Sequence, residues 1–362
     1  MQHEKLNEFN ISQFQQDLIN WFKENQRTLP WRENKDPYRV WVSEIMLQQT
    51  RVDTVIPYYL NFMREFPTLE DLAYAEEDRI LKAWEGLGYY SRVRNLQTAV
   101  REVVEEYSAA VPDTLKEISA LKGVGPYTAG AILSIAYAKP EPAVDGNVMR
   151  VLSRVLEIDE DIAKAKTRKT FEAIIYDLIS KEDPSSFNQG LMELGALICT
   201  PTSPGCLLCP VREHCIAYNK GIQDTLPVKS KKKKAKRKLM AAFIIKDEDG
   251  KVLIEKRPDK GLLAGLWQFP NVEVDSHSFN KEEMAEALSL AIGKPISIRD
   301  RIQKVEHVFS HIVWDIDVYT AVIATKEWEK EGLRFVDQFQ IEDFAFPVSH
   351  QKIIKHYFSE SF

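Results

Sequence analysis

Cysteine is scarce in this chain and confined to one place. There are four in 362 residues, and all lie between positions 199 and 215. Long apolar runs are missing as well. The longest mainly apolar stretch, AGAILSIAYA (Ala129–Ala138), is about half of what a bilayer requires and stops before Pro140. The opening MQHEKLNEF has no apolar core of the kind a secretory leader needs. The expectation is therefore a cytoplasmic protein with no membrane partner, in which stable disulfides are not expected. Residues 11–225 show no sustained period-2 alternation and no solenoid-type repeat.

An excess of positive charge is also absent. The net charge is −6, which taken alone argues mildly against a nucleic-acid partner. Its distribution changes that reading. Residues 239–362 hold 15 Lys and Arg against 21 Asp and Glu, whereas residues 1–238 balance 33 against 33. All the excess acid sits in the C-terminal part, so the first part can still present basic faces to a polyanion.

What is present is enough chain for two cores, with the apolar and charged content of an ordinary globular protein. Residues 1–225 read as mainly helical. Phe14, Leu18 and Trp21 with Phe22 recur at helical spacing, as do Val148, Leu152 and Val155. Proline-containing breaks (TLPWR, KDPYR, EFPTLED, AVPDTLKE) separate the helices, with Thr68 and Asp113 as candidate N-caps. A basic run follows, eight of the ten residues Lys229–Lys238, and makes residues 226–238 a solvated linker or a tether along phosphates. The pattern then switches. MAAFIIKDEDGKVLIEKR is two apolar runs around an Asp-Gly-containing turn, and EHVFSHIVWDIDVYTAVIA alternates like strand. A helical domain followed by an α+β domain, residues 239–362, is the economical reading.

Three local patterns carry chemistry. The cysteines run Cys199-x6-Cys206-x2-Cys209-x5-Cys215, four thiols in one short loop that can close around a metal. Zinc and an iron–sulfur cluster both accept four thiolates, and the spacing leaves both open. In LKGVGPYTAG, Gly123 and Gly125 allow close backbone approach and positive φ. Pro126 suits the first position of the following helix, whose N-terminus favours an anion such as a phosphate. Standing alone, this is an ordinary tight turn between packed helices. The third is PAVDGNVMRV, where Asp145 opens a helix and, on the plainest account, only caps it.

Together the glycine hairpin, the following aspartate and the cysteine loop closely resemble the helix-hairpin-helix superfamily of DNA glycosylases that carry a 4Fe-4S cluster. LPWR, VSEIMLQQT, GLGYYSRVRNL and VDGNVMR are similar to its MutY-like adenine glycosylase branch. The resemblance implies a helical catalytic domain with an iron–sulfur loop at Cys199, Cys206, Cys209 and Cys215. It implies a backbone grip at Gly123 and Gly125 with a bound monovalent or divalent cation. It also implies a monomer working on double-stranded DNA, at the nucleoid, with adenine opposite 8-oxoguanine or guanine. Bifunctional members have a lysine where this chain has Tyr127; a phenol cannot form an imine, so base removal without strand cleavage is expected.

Breaking an N-glycosidic bond needs a proton on the leaving base and an anion near the cationic sugar. Glu44 is a single acid in WVSEIMLQQ. It is either exposed on a polar stripe or set in an apolar pocket, where desolvation would raise its pKa and suit it to be a general acid. Asp145, at a helix N-terminus, is expected to stay ionised. The resemblance gives Glu44 the protonation of adenine N7 and Asp145 the sugar, with Tyr127 and Asn147 as polar partners. It places Arg27, Trp31 and Arg32 near the adenine pocket. Leu47, Gln48, Gln49, Thr50 and Tyr89 match segments that enter the duplex, with Gln49 and Tyr89 as the wedges that fill the gap left by a flipped base.

The C-terminal part resembles a Nudix fold. Its would-be metal helix, EALSLAIG, has Ala287, Leu290 and Ala291 where that family carries carboxylates. Without them Mg²⁺ has no seat, and pyrophosphate hydrolysis is rejected. Phe309-Ser310-His311 resembles the segment with which MutY-like enzymes recognise 8-oxoguanine; by pattern alone it is an unremarkable stretch of strand. The competing readings are an endonuclease III-like lyase, against which Tyr127 argues, and a metal-stabilised DNA binder in which Glu44 and Asp145 only cap and solvate.

Overall fold

The structure is a computed structural model that describes residues 4–230, 235–276, 279–325 and 330–359. The chain forms two units: Met1–Tyr74 with Asn95–Lys231, and Ala75–Arg94 with Lys232–Phe362. The second unit thus takes in a segment that the sequence reading placed within residues 1–225.

Twelve α-helices precede the first strand among the described residues: α1 (Ile11–Asn25), α2 (Pro37–Leu47), α3 (Val52–Glu65), α4 (Leu69–Ala73), α5 (Glu77–Ala83) and α6 (Ser91–Glu106). They continue as α7 (Leu115–Ile118), α8 (Pro126–Tyr137), α9 (Gly146–Val155), α10 (Ala165–Leu178), α11 (Pro184–Leu197) and α12 (Ile216–Lys220).

Helix starts in the first unit follow local chemistry. The Asn10 side chain accepts from the Gln13 N–H to open α1, and Asp36 caps α2 ahead of Pro37. Thr68 and Asp71 form a reciprocal capping box on α4. At the next boundary Thr114, not Asp113, is the cap: its side chain accepts from the Glu117 N–H and starts α7. A threonine one residue further on leaves Asp113 outside the helix and pairs it with Lys139.

The core of this unit is built as the periodicity requires. Phe14 and Leu18 of α1 are buried with Val148, Val151, Leu152 and Val155 of α9 and Phe187, Leu191 and Leu194 of α11. Each such side chain contributes about 1.5–3 kcal/mol by leaving water. Helix α2 is different, because every residue from Val40 to Met46 is buried. It has no polar stripe for Glu44 to occupy. Gly195 lets α11 approach α9: a Cβ there would lie 2.7 Å from Asn147 Cβ.

The basic run is not all linker. Lys231–Lys234 lie outside the described residues, but Lys236–Lys238 open the first strand, where Arg237 pairs with Glu306 and Asp315 and Lys238 with Glu273. Upstream, the Ile162 N–H donates to the Val228 carbonyl, fixing residues 226–230 to the first unit.

The second unit contains β1 (Lys236–Lys246), β2 (Val252–Lys256), β3 (Trp267–Gln268), β4 (Asn271–Val274), α13 (Lys281–Ile292), β5 (Ile296–Val308), β6 (Ile312–Ile323), β7 (Leu333–Val336) and α14 (Val348–Ser359). The sheet order is β3-β2-β1-β6-β5, with β4 on β1 and β7 on β2; β1 and β6 are parallel. Central strand β1 reads as an unbroken apolar run because both its faces are covered. Met240, Ala242 and Ile244 enter one core with Ile353 of α14, while Ala241, Phe243 and Ile245 enter another with Leu288 and Ile292 of α13. The expected hairpin forms between β1 and β2, its turn held by Asp247 accepting from the Asp249 and Lys251 N–H groups. Among the described residues no helix is long and apolar enough to cross a membrane.

Candidate active site

A cleft of about 780 Å³, counting space open to solvent, lies in the first unit. Helix α2 supplies Glu44, 5% exposed. Burial drives its pKa up to about 7; ionised Asp145 adds to the rise, while a hydrogen bond from Tyr127 and the charge of Arg32 oppose it. Tyr127, in the first turn of α8, donates its hydroxyl to Glu44 Oε2 at 2.5 Å. The phenol is itself pushed well above its usual range, first by burial and then by Glu44 and Asp145.

The turn that presents Tyr127 divides its work between two glycines. Gly123 has φ +80°, and a Cβ on it would lie 2.8 Å from Asn95 Cβ, so both conformation and space demand glycine. Gly125 is the N-cap of α8 at φ −91°; no left-handed conformation is needed there, and a Cβ would meet nothing within 4 Å. What Gly125 leaves is an open approach to the helix N-terminus.

Asp145 caps α9 through Val148 N–H at 2.7 Å and receives Asn147 Nδ2 at 3.0 Å. Burial raises its pKa, and these hydrogen bonds together with Arg150 pull it back. The helix N-terminus is thus one influence among several, smaller than desolvation. Asn147 in turn accepts from Arg150 Nη2 at 2.8 Å, and the same arginine donates to the carbonyls of Cys199 and Gly195.

Sequence reasoning missed α11, which forms the rest of the wall with Gln189, Met192 and Glu193. Glu193 is 2% exposed and accepts from the Arg27 backbone and from both the Arg27 and Arg32 guanidiniums. These hydrogen bonds outweigh burial and hold its pKa down at about 2. Arg32 also donates to Gln189. Trp31 lines the cleft and packs edge-on against Tyr59. The signal that singled out Glu44, one acid within an apolar helical stretch, is equally present at Glu193 in FNQGLMELGAL.

Leu47 and Thr50 line the same cleft, and Gln48 reaches Thr128. Gln49 is exposed with φ +59°, a conformation that a residue other than glycine seldom adopts. Tyr89, 46% exposed with φ +49°, belongs to the second unit. Its hydroxyl lies 2.7 Å from Ser310 Oγ. Phe309-Ser310-His311 is not strand but the turn joining β5 to β6; Phe309 packs edge-on to His307 and Trp314, and His311 is exposed.

The four cysteines line one apolar cavity in the first unit, beside Val151 and Leu194. Burial pushes the Cys209 thiol up to about 12 and raises Cys206 and Cys215 as well. Arg154, 2% exposed, places a guanidinium nitrogen 3.2 Å from Cys199 Sγ. Among the described residues no three Cys, His, Asp or Glu side chains are arranged around a single metal ion.

A buried carboxyl with its pKa raised to about 7 and a capped carboxylate facing one cleft beside a glycine hairpin define a class. Residues 42–176, which hold Glu44, the hairpin and Asp145, match the HhH-GPD superfamily of base excision DNA repair proteins, and residues 241–356 match the NUDIX domain. The likeness extends over nearly the whole chain. The adenine DNA glycosylase of Mus musculus is 35% identical over 402 residues, covering 96% of this chain and 78% of its own. That of Buchnera aphidicola subsp. Schizaphis graminum (strain Sg) is 38% identical over 347 residues, 94% of this chain and 98% of its own. The chain belongs to the adenine DNA glycosylase family. A solved thermostable thymine-DNA glycosylase is 29% identical with a TM-score of 0.53, over 58% of this chain and 97% of its own.

Proposed function

We propose that this protein is a monofunctional adenine DNA glycosylase, hydrolysing the N-glycosidic bond of adenine opposite 8-oxoguanine or guanine in base excision repair. The observation that carries the reading is Glu44, buried in a helix enclosed from Val40 to Met46, with its pKa raised to about 7 and its carboxyl held by Tyr127. A group titrating there can give a proton at neutral pH. In this reading Glu44 protonates N7 of adenine, making the base a better leaving group. Asp145, fixed by Val148 and Asn147, faces the sugar and stabilises the oxocarbenium-like centre. Its ionised form also helps keep Glu44 protonated. Tyr127 orients the acid and offers no amine for a Schiff base, which supports base removal without strand cutting. Arg27 and Arg32, locked by Glu193, and Trp31 supply polar and apolar walls for the flipped base.

Gly123 and Gly125 present the α8 N-terminus to a DNA phosphate, with a cation at the hairpin. Gln49 and Tyr89 are wedges, a role supported by their exposure and unusual backbone conformation. Phe309, Ser310 and His311 read the opposite base. Cys199, Cys206, Cys209 and Cys215 hold a 4Fe-4S cluster. The residues fit such a group: four thiols share an apolar cavity next to a buried guanidinium, and a polynuclear cluster needs one thiolate per iron, not convergence on one ion. Bound there, the cluster supplies a structural cross-link and a redox-capable group. The protein is read as a monomer that works in the cytoplasm at the nucleoid.

Single-turnover release from a duplex with adenine opposite 8-oxoguanine tests this, beside adenine–thymine and thymine-glycol duplexes and the Asp145→Asn variant. Release from the first duplex alone, abolished by the substitution and leaving strands uncut until alkali, is expected. Cleavage of the thymine-glycol duplex would transfer the protein to the lyase class.

A further inference from the structure

The turn Gly86–Tyr90 departs from ordinary backbone at three places: Gly86 (φ +101°), Gly88 (φ +72°) and Tyr89 (φ +49°). Glycine tolerates this and tyrosine does not, so something must hold Tyr89 in place. Three groups of the second unit do so. Trp84, fully buried, donates its indole N–H to the Gly88 carbonyl at 3.2 Å. Ser310 meets the Tyr89 hydroxyl. Arg92 does most: its Nη2 donates to the carbonyls of Leu87 (3.3 Å) and Gly88 (3.1 Å), and its guanidinium lies over the rings of both Trp84 (5.4 Å) and Tyr89 (5.5 Å).

We infer that Arg92 is the positioning residue that holds the Tyr89 ring ready to enter a duplex. The inference rests on the proposed wedge role of Tyr89. The plane of the guanidinium is anchored on Trp84, its edge ties down the two carbonyls before Tyr89, and its charge faces the Tyr89 ring. A ring held this way enters the base stack without first losing conformational freedom. Burial lowers the Arg92 pKa to about 10, still well above neutrality, so the cation persists. A lysine retains the charge but lacks the flat face that lies over both the Trp84 and Tyr89 rings. Arg92 is therefore not an interchangeable cation: its Nη2 is engaged with the carbonyls of this turn and its plane with the two rings.

The test is a double-mutant cycle on the full chain, with Arg92→Met, Arg92→Lys, Tyr89→Ala and the combined variants. Two readouts are taken on a duplex with adenine opposite 8-oxoguanine and 2-aminopurine beside the oxidised base. One is 2-aminopurine fluorescence, which reports unstacking by the wedge; the other is the single-turnover rate of base release. Arg92→Met is expected to lower insertion and rate on the order of tenfold. Arg92→Lys should recover little, and neither substitution should add loss in the Tyr89→Ala background. The slope of log affinity against log salt should stay unchanged. Equal losses with and without Tyr89, full recovery by lysine, or a slope smaller by about one phosphate contact would overturn the inference. Should Arg92→Met unfold, the lysine variant alone carries the cycle. If the wild type releases no adenine, the proposed function fails, while the fluorescence cycle still decides whether Arg92 acts through Tyr89.

Discussion

The cleft of the first unit and the β5–β6 turn of the second treat their polar groups in opposite ways. In the cleft, Glu44 and Glu193 are almost wholly enclosed, yet burial raises Glu44 to about 7 while the hydrogen bonds of Arg27 and Arg32 hold Glu193 down at about 2. Glu44 has one phenol for company; Glu193 has two guanidiniums. At the turn, Ser310 and His311 are exposed. Chemistry on a bond needs groups whose protonation the fold dictates, and dictating it requires excluding water. Reading a base edge needs only donors and acceptors within reach, and those can stay wet.

The largest break in that contrast comes from Asp145→Asn. Asparagine can still cap α9, so the fold and melting temperature should hold, while base release falls about 10³-fold or more in single-turnover kinetics. Glu44→Gln comes next, with a loss of about 10²–10⁴-fold. Its pH behaviour sharpens the point. In the proposed mechanism the acid form is the active one, so with a folded pKa of about 7 the wild-type rate should fall as pH rises through 7. Stability follows the same sign. The folded pKa lies above the unfolded one, so the ionised carboxylate costs stability, a cost absent at low pH and complete above about pH 7. Glu44→Gln should therefore melt higher than wild type at pH 8, by calorimetry.

Tyr127→Phe is the subtler probe. Its hydrogen bond lowers the Glu44 pKa, so removing it should move the alkaline fall in rate to higher pH, with about a tenfold loss at neutrality. Smallest is Ser310→Ala. Preference for 8-oxoguanine over guanine opposite adenine should drop about three- to tenfold, with the pH profile unmoved. A shifted profile would mean that the two regions are not separable.

The contrast also marks what could be read in the sequence. Asp145, the glycine hairpin and the cysteine loop were legible because their signals are local: a cap, a turn, a spacing. The apolar neighbours of Glu44 raised two possibilities, and the burial of α2 on every side decides between them. Gln189, Met192, Glu193 and Arg150 were not found. Their positions acquire meaning only when α11 packs against α9 through Gly195, a contact 48 residues apart in sequence with Asn147. The Asp113 cap went to its neighbour, since either residue can serve and one-residue competition is settled by the geometry of α7. Membership of residues 75–94 in the second unit was equally hidden, because its bonding partners lie 262 and 261 residues further along the chain.

That last feature bears on how the molecule is made. Lys82 donates to the carbonyl of Phe344, and Glu85 accepts from the N–H of Phe346, across sequence separations of 262 and 261 residues. Ribosomes add about 5–20 residues per second, so the segment emerges some tens of seconds before its partners exist. Residues 75–94 therefore wait for the partners that Lys82 and Glu85 bond. The C-terminal unit is thus no cassette appended to a finished enzyme. A chain released early, at residue 231, would leave the strip that carries Tyr89 without its partners Ser310, Phe344 and Phe346.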